Sequence, residues 1–234
     1  MNKRDAMLPL LQVVPYFADL DAAILRTIAA RCRPKVIPAG QLAFAEGDPC
    51  LDLCILESGR VKFYRVNAEG REQILKVFER PGDTFCIASA FSTGRYIVSV
   101  AAATETRLCL LDLDTLNRLV REHPSMGLKL VTTAGEHLAH LVDLAEDLAL
   151  KTATERLAKH LHELALADGA AKGKDIRLSR DRLPEEELAS LLGTVRVNIS
   201  RSLTNLVLAG AIDVDRGSIR IRDLGVLRRI SEGK

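Results

Sequence analysis

Apolar residues change their spacing several times along this 234-residue chain, and each change predicts a change of structure. From Leu20 to Cys32 they recur at helical intervals, with Asp19 and Asp21 near the start. Between Lys35 and Leu111 the pattern breaks into short runs separated by turn residues. The predicted strands are Lys35 to Ile37, Gln41 to Phe44, Leu53 to Leu56, Val61 to Val66, Gln73 to Phe78, Tyr96 to Ala102 and Thr106 to Leu111. Pro38-Ala39-Gly40, Glu46-Gly47-Asp48-Pro49, Ser58-Gly59, Asn67-Ala68-Glu69-Gly70 and Pro81-Gly82-Asp83 are the turns between them. Short, closely spaced strands with glycine turns predict a small antiparallel β-barrel.

Helical spacing returns near Thr115, and Pro124 to Leu150 is one long run without an internal proline. Val131, Ala134, Leu138, Leu141, Ala145 and Leu148 alternate at three and four residues, which is a coiled-coil seam. A buried helix can carry the same seam. Leu128, Leu130, Val142 and Leu144 widen this one beyond what packing on a small barrel needs, so a dimerisation helix is predicted. Thr152 to Ala167 is a further helix, and Gly169 to Lys174 a polar linker.

The last third reads as two short helices and a hairpin. Pro184 and three glutamates open the first helix, as the helix dipole favours, and Leu188, Leu191 and Leu192 give its apolar face. Gly193 sits where a tight turn needs positive φ. The second helix runs from Thr194 to about Leu208, with Ile199, Leu203 and Leu206 on one face. Thr194, Arg196, Asn198, Ser200, Arg201 and Asn205 supply hydroxyls, amides and guanidinium forks, the groups that bond base edges and phosphates. Ile212-Asp213-Val214 and Ile219-Arg220-Ile221 alternate around Arg216-Gly217 as a hairpin. The combination predicts a winged helix-turn-helix that binds double-stranded DNA. A degenerate winged helix used for ligand or protein contacts is the alternative, but it has no need of arginines spaced along one exposed face.

The fold class predicted is α+β: a barrel over residues 1–122, a dimerisation helix over 123–150 and a DNA-binding domain over 151–234. Net charge becomes informative only when divided along the chain. From Lys151 onward there are 16 Lys/Arg against 12 Asp/Glu, and before it 17 against 19. The excess positive charge falls with the DNA-reading motif, as phosphate attraction requires. Five cysteines without framework spacing predict a reducing cytoplasm, and no segment approaches the ~18 apolar residues of a membrane span. Aromatics at 4% with no Trp argue against a base-stacking platform. No phosphate loop, nucleophile elbow or zinc-hydrolase motif occurs, so no enzyme is predicted.

In this order, barrel, long helix and winged helix resemble the CRP/FNR family of bacterial transcription regulators. Leu56-Glu57-Ser58-Gly59-Arg60-Val61-Lys62, Gly70-Arg71-Glu72-Gln73-Ile74-Leu75, Pro81-Gly82-Asp83-Thr84-Phe85 and Leu188-Ala189-Ser190-Leu191-Leu192-Gly193-Thr194 carry the resemblance. It implies a cyclic-nucleotide-binding-like jelly roll, a homodimer, a small-molecule or gas effector, a two-fold-symmetric operator and RNA polymerase as a partner.

Two departures from the family's pattern change the expectations. Arg196-Val197-Asn198 replaces the usual Arg-Glu-Thr, so a cytosine acceptor becomes a side chain that packs on a thymine methyl. Phe85-Cys86-Ile87-Ala88-Ser89 places Ile87 where cyclic-AMP-binding members present a ribose-binding Glu, and of their phosphate pair only Arg95 is nearby. An unpaired ribose costs about 1–3 kcal/mol, which predicts an effector other than cyclic AMP. Cys86, Ile87, Arg95, Leu130, Ala134 and Leu138 are the predicted effector-responsive residues, with Ala134 and Gly135 small enough to allow two helix packings.

The cofactor is left open. Cys86 resembles the haem-ligating cysteine of the family's carbon-monoxide sensors, although Ala88 replaces their ferrous-state histidine, and the alternative is a small buried hydrophobe. Cys50-x3-Cys54 with Cys32 and Cys109 could form an iron–sulfur cluster or a disulfide switch. His137 and His140 stand three apart on the long helix, and a solvated or seam-edge face is their predicted role rather than a metal site.

Overall fold

The computed structural model describes residues 3–169, 176–180 and 183–234, with side chains from residue 7 onward. Apart from Gly169, the expected linker lies outside the described residues. By compactness the chain falls into two units, residues 1–65 with 75–141, and residues 66–74 with 142–234.

The first unit opens with α1 (Lys3–Gln12) and α2 (Ala22–Arg31). Strands β1 (Arg33–Ile37), β2 (Leu42–Phe44), β3 (Asp52–Ser58), β4 (Val61–Val66), β5 (Glu72–Phe78) and β6 (Thr84–Phe85) follow, the β4–β5 tip belonging to the other unit. Then come α3 (Ile87–Phe91), β7 (Ser99–Ala102), β8 (Thr106–Asp112), α4 (Leu113–Glu122) and the long α5 (Pro124–Leu150), whose residues from Val142 belong to the other unit. The strands make two four-stranded sheets, ordered β1-β8-β3-β6 and β2-β7-β4-β5. This is the double-sheeted arrangement of a jelly roll.

Strand alternation explains why β3 reads as an uninterrupted apolar run. Cys54 and Leu56 point into a cluster between the sheets with Phe85, Leu108, Phe78 and Val100. Leu53 and Ile55 point the other way, into a cluster with Leu25, Ile28, Leu116, Leu119, Met126 and Leu130. The central strand is covered on both faces, so neither face needs polar residues.

The first unit departs from the sequence reading beyond the unforeseen α1. The predicted strand from Tyr96 shortens to β7, because Tyr96 turns inward and stacks on Phe44 with ring centroids 4.5 Å apart. Residues Thr84 to Phe91, read only as a motif, form β6 and α3. Cys32, at the end of α2, is bridged to Cys109 of β8 by a disulfide, with Cα atoms 5.6 Å apart, against the expectation of reduced cysteines only.

The second unit contains α6 (Ala153–Ala167), β9 (Arg177–Ser179), α7 (Glu185–Leu191), α8 (Arg196–Leu208), β10 (Ile212–Val214), β11 (Ser218–Ile221) and α9 (Leu224–Ser231). Leu157, Leu161, Leu188, Ile199, Leu206 and Leu227 form its core with residues of the wing. The wing is a sheet ordered β10-β11-β9. Asp215 closes its turn, accepting from the backbone N–H groups of Gly217 and Ser218 at 2.9 and 2.6 Å.

Local chemistry fixes the junction between α5 and α6. Thr152 and Glu155 form a reciprocal capping box at the start of α6. The Arg156 guanidinium donates to the carbonyls of Asp147 and Lys151, satisfying the open end of α5. Asp147 takes Lys151 at 2.8 Å and Lys159 at 2.5 Å. Burial works against its charge, but those two ammonium groups hold its carboxyl below the ordinary value.

Candidate functional site

The turn between α7 and α8 is made as its sequence predicts. Gly193 has φ +60°, and a Cβ there would collide with the Leu148 side chain and the Gln73 carboxamide oxygen. Helix α8 begins at Arg196 rather than Thr194, with Val195 as an extended N-cap that offers no side-chain bond. Thr194 instead accepts from the Asn198 amide at 3.0 Å.

Ile199, Ser202, Leu203 and Leu206 are buried, which turns Arg196, Val197, Ser200, Arg201 and Thr204 outward. Of the six residues predicted to contact DNA, the structure brings Arg196, Ser200 and Arg201 onto this face. Asn198 is half-buried beside Thr194. The Asn205 amide is exposed, but it donates to Thr154 of α6 at 3.4 Å, a long bond to the scaffold. Val197 is 58% exposed, an apolar group set among the polar ones.

The acidic start of α7, read from sequence as a helix-dipole feature, has a second role. Glu185 accepts from Ser200 at 2.6 Å and pairs with Arg180 at 2.8 Å, and Glu186 pairs with Arg196 at 2.8 Å. These acids hold the outward residues in place and compete with any anion for Arg196. Local spacing holds no sign of this, since Glu185 and Arg196 meet only once the helices pack. An exposed pair of this kind contributes about 0.2–1 kcal/mol. Glu186→Gln should therefore tighten duplex binding by up to a few-fold at low salt, measured by fluorescence anisotropy, with the gain shrinking as salt rises.

The other predicted cluster centres on Cys86. Its φ is +77°, a left-handed conformation that glycine adopts without strain and cysteine does not. The adjacent side chains diverge: Cys86 enters the cluster between the sheets, whereas Ile87 enters the cluster that contains Leu130 of α5. Arg95 is exposed and donates to the Gly47 carbonyl at 2.7 Å. Ala134 and Leu138 are exposed on α5, Leu138 at 63%, and are not brought to Cys86 or Ile87 within the chain.

Haem does not fit the residues present. The Cys86 sulfur lies 3.8 Å from that of Cys54, and burial, reinforced by the neighbouring thiols, pushes its pKa well above the ordinary value. That disfavours the thiolate an iron ligand requires. Phe63, Phe78 and Phe85, with centroids 4.9–5.4 Å apart, pack together beside it. No group of three or more metal-binding side chains occurs among the described residues.

His137 and His140 are structural contacts. His140 meets the Leu75 carbonyl at 3.0 Å, and His137 sits edge-on to Phe78. Burial, then the Lys76 charge, lowers the pKa of His137 against the opposing pull of Glu136 and Asp83. Its neutral form therefore adds stability above the ordinary value of 6.5, and this is lost as pH falls from there through the folded value. The thermal midpoint should fall between pH 7 and pH 5.5, and by less in His137→Leu.

Comparison with known proteins agrees with this geometry. Residues 34–123 match the family described as a cyclic nucleotide-binding domain, and residues 155–230 match a Crp-like helix-turn-helix domain. The CRP-like cAMP-activated global transcriptional regulator of Mycobacterium tuberculosis is 30% identical over 213 residues, covering 91% of this chain and 94% of that protein. The chain belongs to the CRP/FNR family. This CRP/FNR regulator is also 27% identical to the nitrogen fixation regulation protein FixK of Azorhizobium caulinodans, over 91% of its length and 85% of the relative's. A CooA mutant structure from Carboxydothermus hydrogenoformans aligns over 95% of both chains with a TM-score of 0.76 at 25% identity. Membership of this family makes the chain a DNA-binding transcription regulator and not an enzyme. No described helix of this CRP/FNR regulator is long and apolar enough to cross a membrane.

Proposed function

We propose that this chain is a cytoplasmic, homodimeric transcription regulator that reads a two-fold-symmetric operator and answers to an effector other than cyclic AMP. The observation that carries DNA reading is the face of α8, where Arg196, Val197, Ser200 and Arg201 project opposite a fully packed apolar side. Arg196 and Arg201 are assigned to base edges or phosphates, Val197 to a thymine methyl, and Thr194, Asn198 and Asn205 to supporting polar contacts. Anisotropy titrations of labelled duplex across a salt series test this. Binding should weaken linearly on a logarithmic salt scale, and a flat response would remove the assignment.

Dimerisation is supported by the face that α5 leaves uncovered. Leu128, Val131, Leu138, Leu141 and Val142 are all exposed in the single chain. A second copy related by two-fold symmetry would cover them, and reading successive major grooves requires its two α8 helices to stand about 34 Å apart. RNA polymerase is the proposed partner of the DNA-bound dimer.

The effector proposal rests on Ile87, buried against the helix cluster where cyclic AMP would need an acceptor, and on the commitment of Arg95 to Gly47. Ile87 and Leu130 share one cluster, so a change at Cys86–Ile87 alters the packing of α5. Ala134, Gly135 and Leu138 then belong to the dimer side of that helix and transmit the change across the seam. Two packings a few kcal/mol apart suffice for an effector to select one.

A further inference from the structure

Cys50, Cys54 and Cys86 come from three separate segments and meet in one buried cluster. Cys50 lies in the loop before β3, Cys54 within β3, and Cys86 at the junction of β6 and α3. The Cys86 sulfur is 3.8 Å from that of Cys54, and the Cys50 sulfur is 3.8 Å from the Cys86 carbonyl oxygen. A position with φ +77° accommodates glycine without strain, so here the fold tolerates strain and keeps a thiol.

We propose that these three cysteines form a peroxide-oxidised thiol centre, in which Cys50 is the sulfur that attacks peroxide, Cys86 closes the disulfide and Cys54 is its exchange partner. Cys50 suits the first role by its place in the fold. It is buried, but it sits in the loop before β3 beside the exposed Leu51, and its thiol reaches the Cys86 carbonyl at 3.8 Å. The nearby Cys86 side chain lowers its pKa against the opposing effect of burial. The Cys50 thiolate attacks one oxygen of hydrogen peroxide, the O–O bond breaks, and hydroxide leaves to take up a proton as water. Cys86 sulfur then attacks the Cys50 sulfenic acid, its own proton joining the departing hydroxyl as a second water. The net change is two thiols and one peroxide to one disulfide and two waters, with peroxide the species reduced. Cys54, beside Cys86, is placed to exchange into that bond.

The consequence for regulation rests on the effector reading above. A disulfide at Cys86 would tie the turn before α3 to the β3 loop and shift Ile87 against Leu130. The chemistry itself does not depend on that reading, because it is detected by mass whether or not the chain binds DNA.

The test uses the full chain, reduced, freed of reductant, treated with hydrogen peroxide, alkylated and digested with trypsin. Cys50 and Cys54 fall in peptide 36–60 and Cys86 in 77–95, whereas Cys32 and Cys109 fall in 32–35 and 108–118. Peptide 36–60 linked to 77–95 should be a dominant product. Cys86→Gly, which the positive φ accommodates, should abolish that link and spare the 32–35 to 108–118 link. Cys50→Ser should slow the link at least tenfold and leave only a Cys54–Cys86 bond. The proposal is overturned if the native chain gives no such link while Cys32 and Cys109 are joined. It is equally overturned if the yield is the same in denaturant, or if Cys50→Ser reacts at the native rate.

Discussion

Arg201→Ala should weaken operator binding by about 1–3 kcal/mol, roughly five- to 150-fold, with the thermal midpoint unchanged. Arg201 is exposed near the middle of α8, on the face opposite Ile199 and Leu203. Removing its side chain opens no cavity and breaks no core contact. Among the described residues it has no ion pair comparable to that of Arg196 with Glu186, so its guanidinium need not exchange one partner for another. For that reason Arg201→Ala should cost more than Arg196→Ala. If Arg201 bonds a phosphate, affinity should fall evenly over all sequences and the logarithmic salt slope should drop by about one. If it bonds a base edge, preference should relax at one base pair of each half-site. Equal binding by wild type and both alanine variants would remove α8 as the reading helix.

Leu138→Asp should convert dimer to monomer and abolish operator binding. Leu138 is exposed in the single chain, so the substitution buries no carboxylate within the fold, and the isolated chain should fold and melt much as before. In a two-fold dimer each carboxylate would enter an apolar seam against its symmetry mate. A buried charge without a partner costs several kcal/mol, and a two-fold dimer would bury two of them. Sedimentation velocity at micromolar concentration reads the outcome directly. A wild-type monomer would remove the seam, and an unaltered dimer in Leu138→Asp would place it on another face.

Element order was legible in the sequence because period and turn chemistry are local. The Gly193 turn, the strand alternation and the unbroken apolar run of α5 each follow from a few neighbouring residues. The short pieces β6 and α3 were not legible, because two strand residues and a single helical turn leave no period to detect. Tyr96 was misread for a related reason: β-propensity places an aromatic in a strand, and only tertiary packing on Phe44 turns it out of one. On the candidate site, the outward residues of α8 could be read from helical spacing. The Glu185–Ser200 and Glu186–Arg196 pairs could not, since they join two helices across a turn. The cysteines show the limit most plainly. Cys50-x3-Cys54 invites a local pairing, whereas the fold joins Cys32 to Cys109 through the register of β1 on β8 and sets Cys86 beside Cys54 through that of β3 on β6.

Selection from a pool of random duplexes, followed by sedimentation of the protein with the enriched sequence, tests the central claim most directly. A two-fold-symmetric reader predicts enrichment of inverted half-sites centred about one helical turn apart, and two chains bound per duplex. No enrichment, or an asymmetric site occupied by one chain, would contradict it.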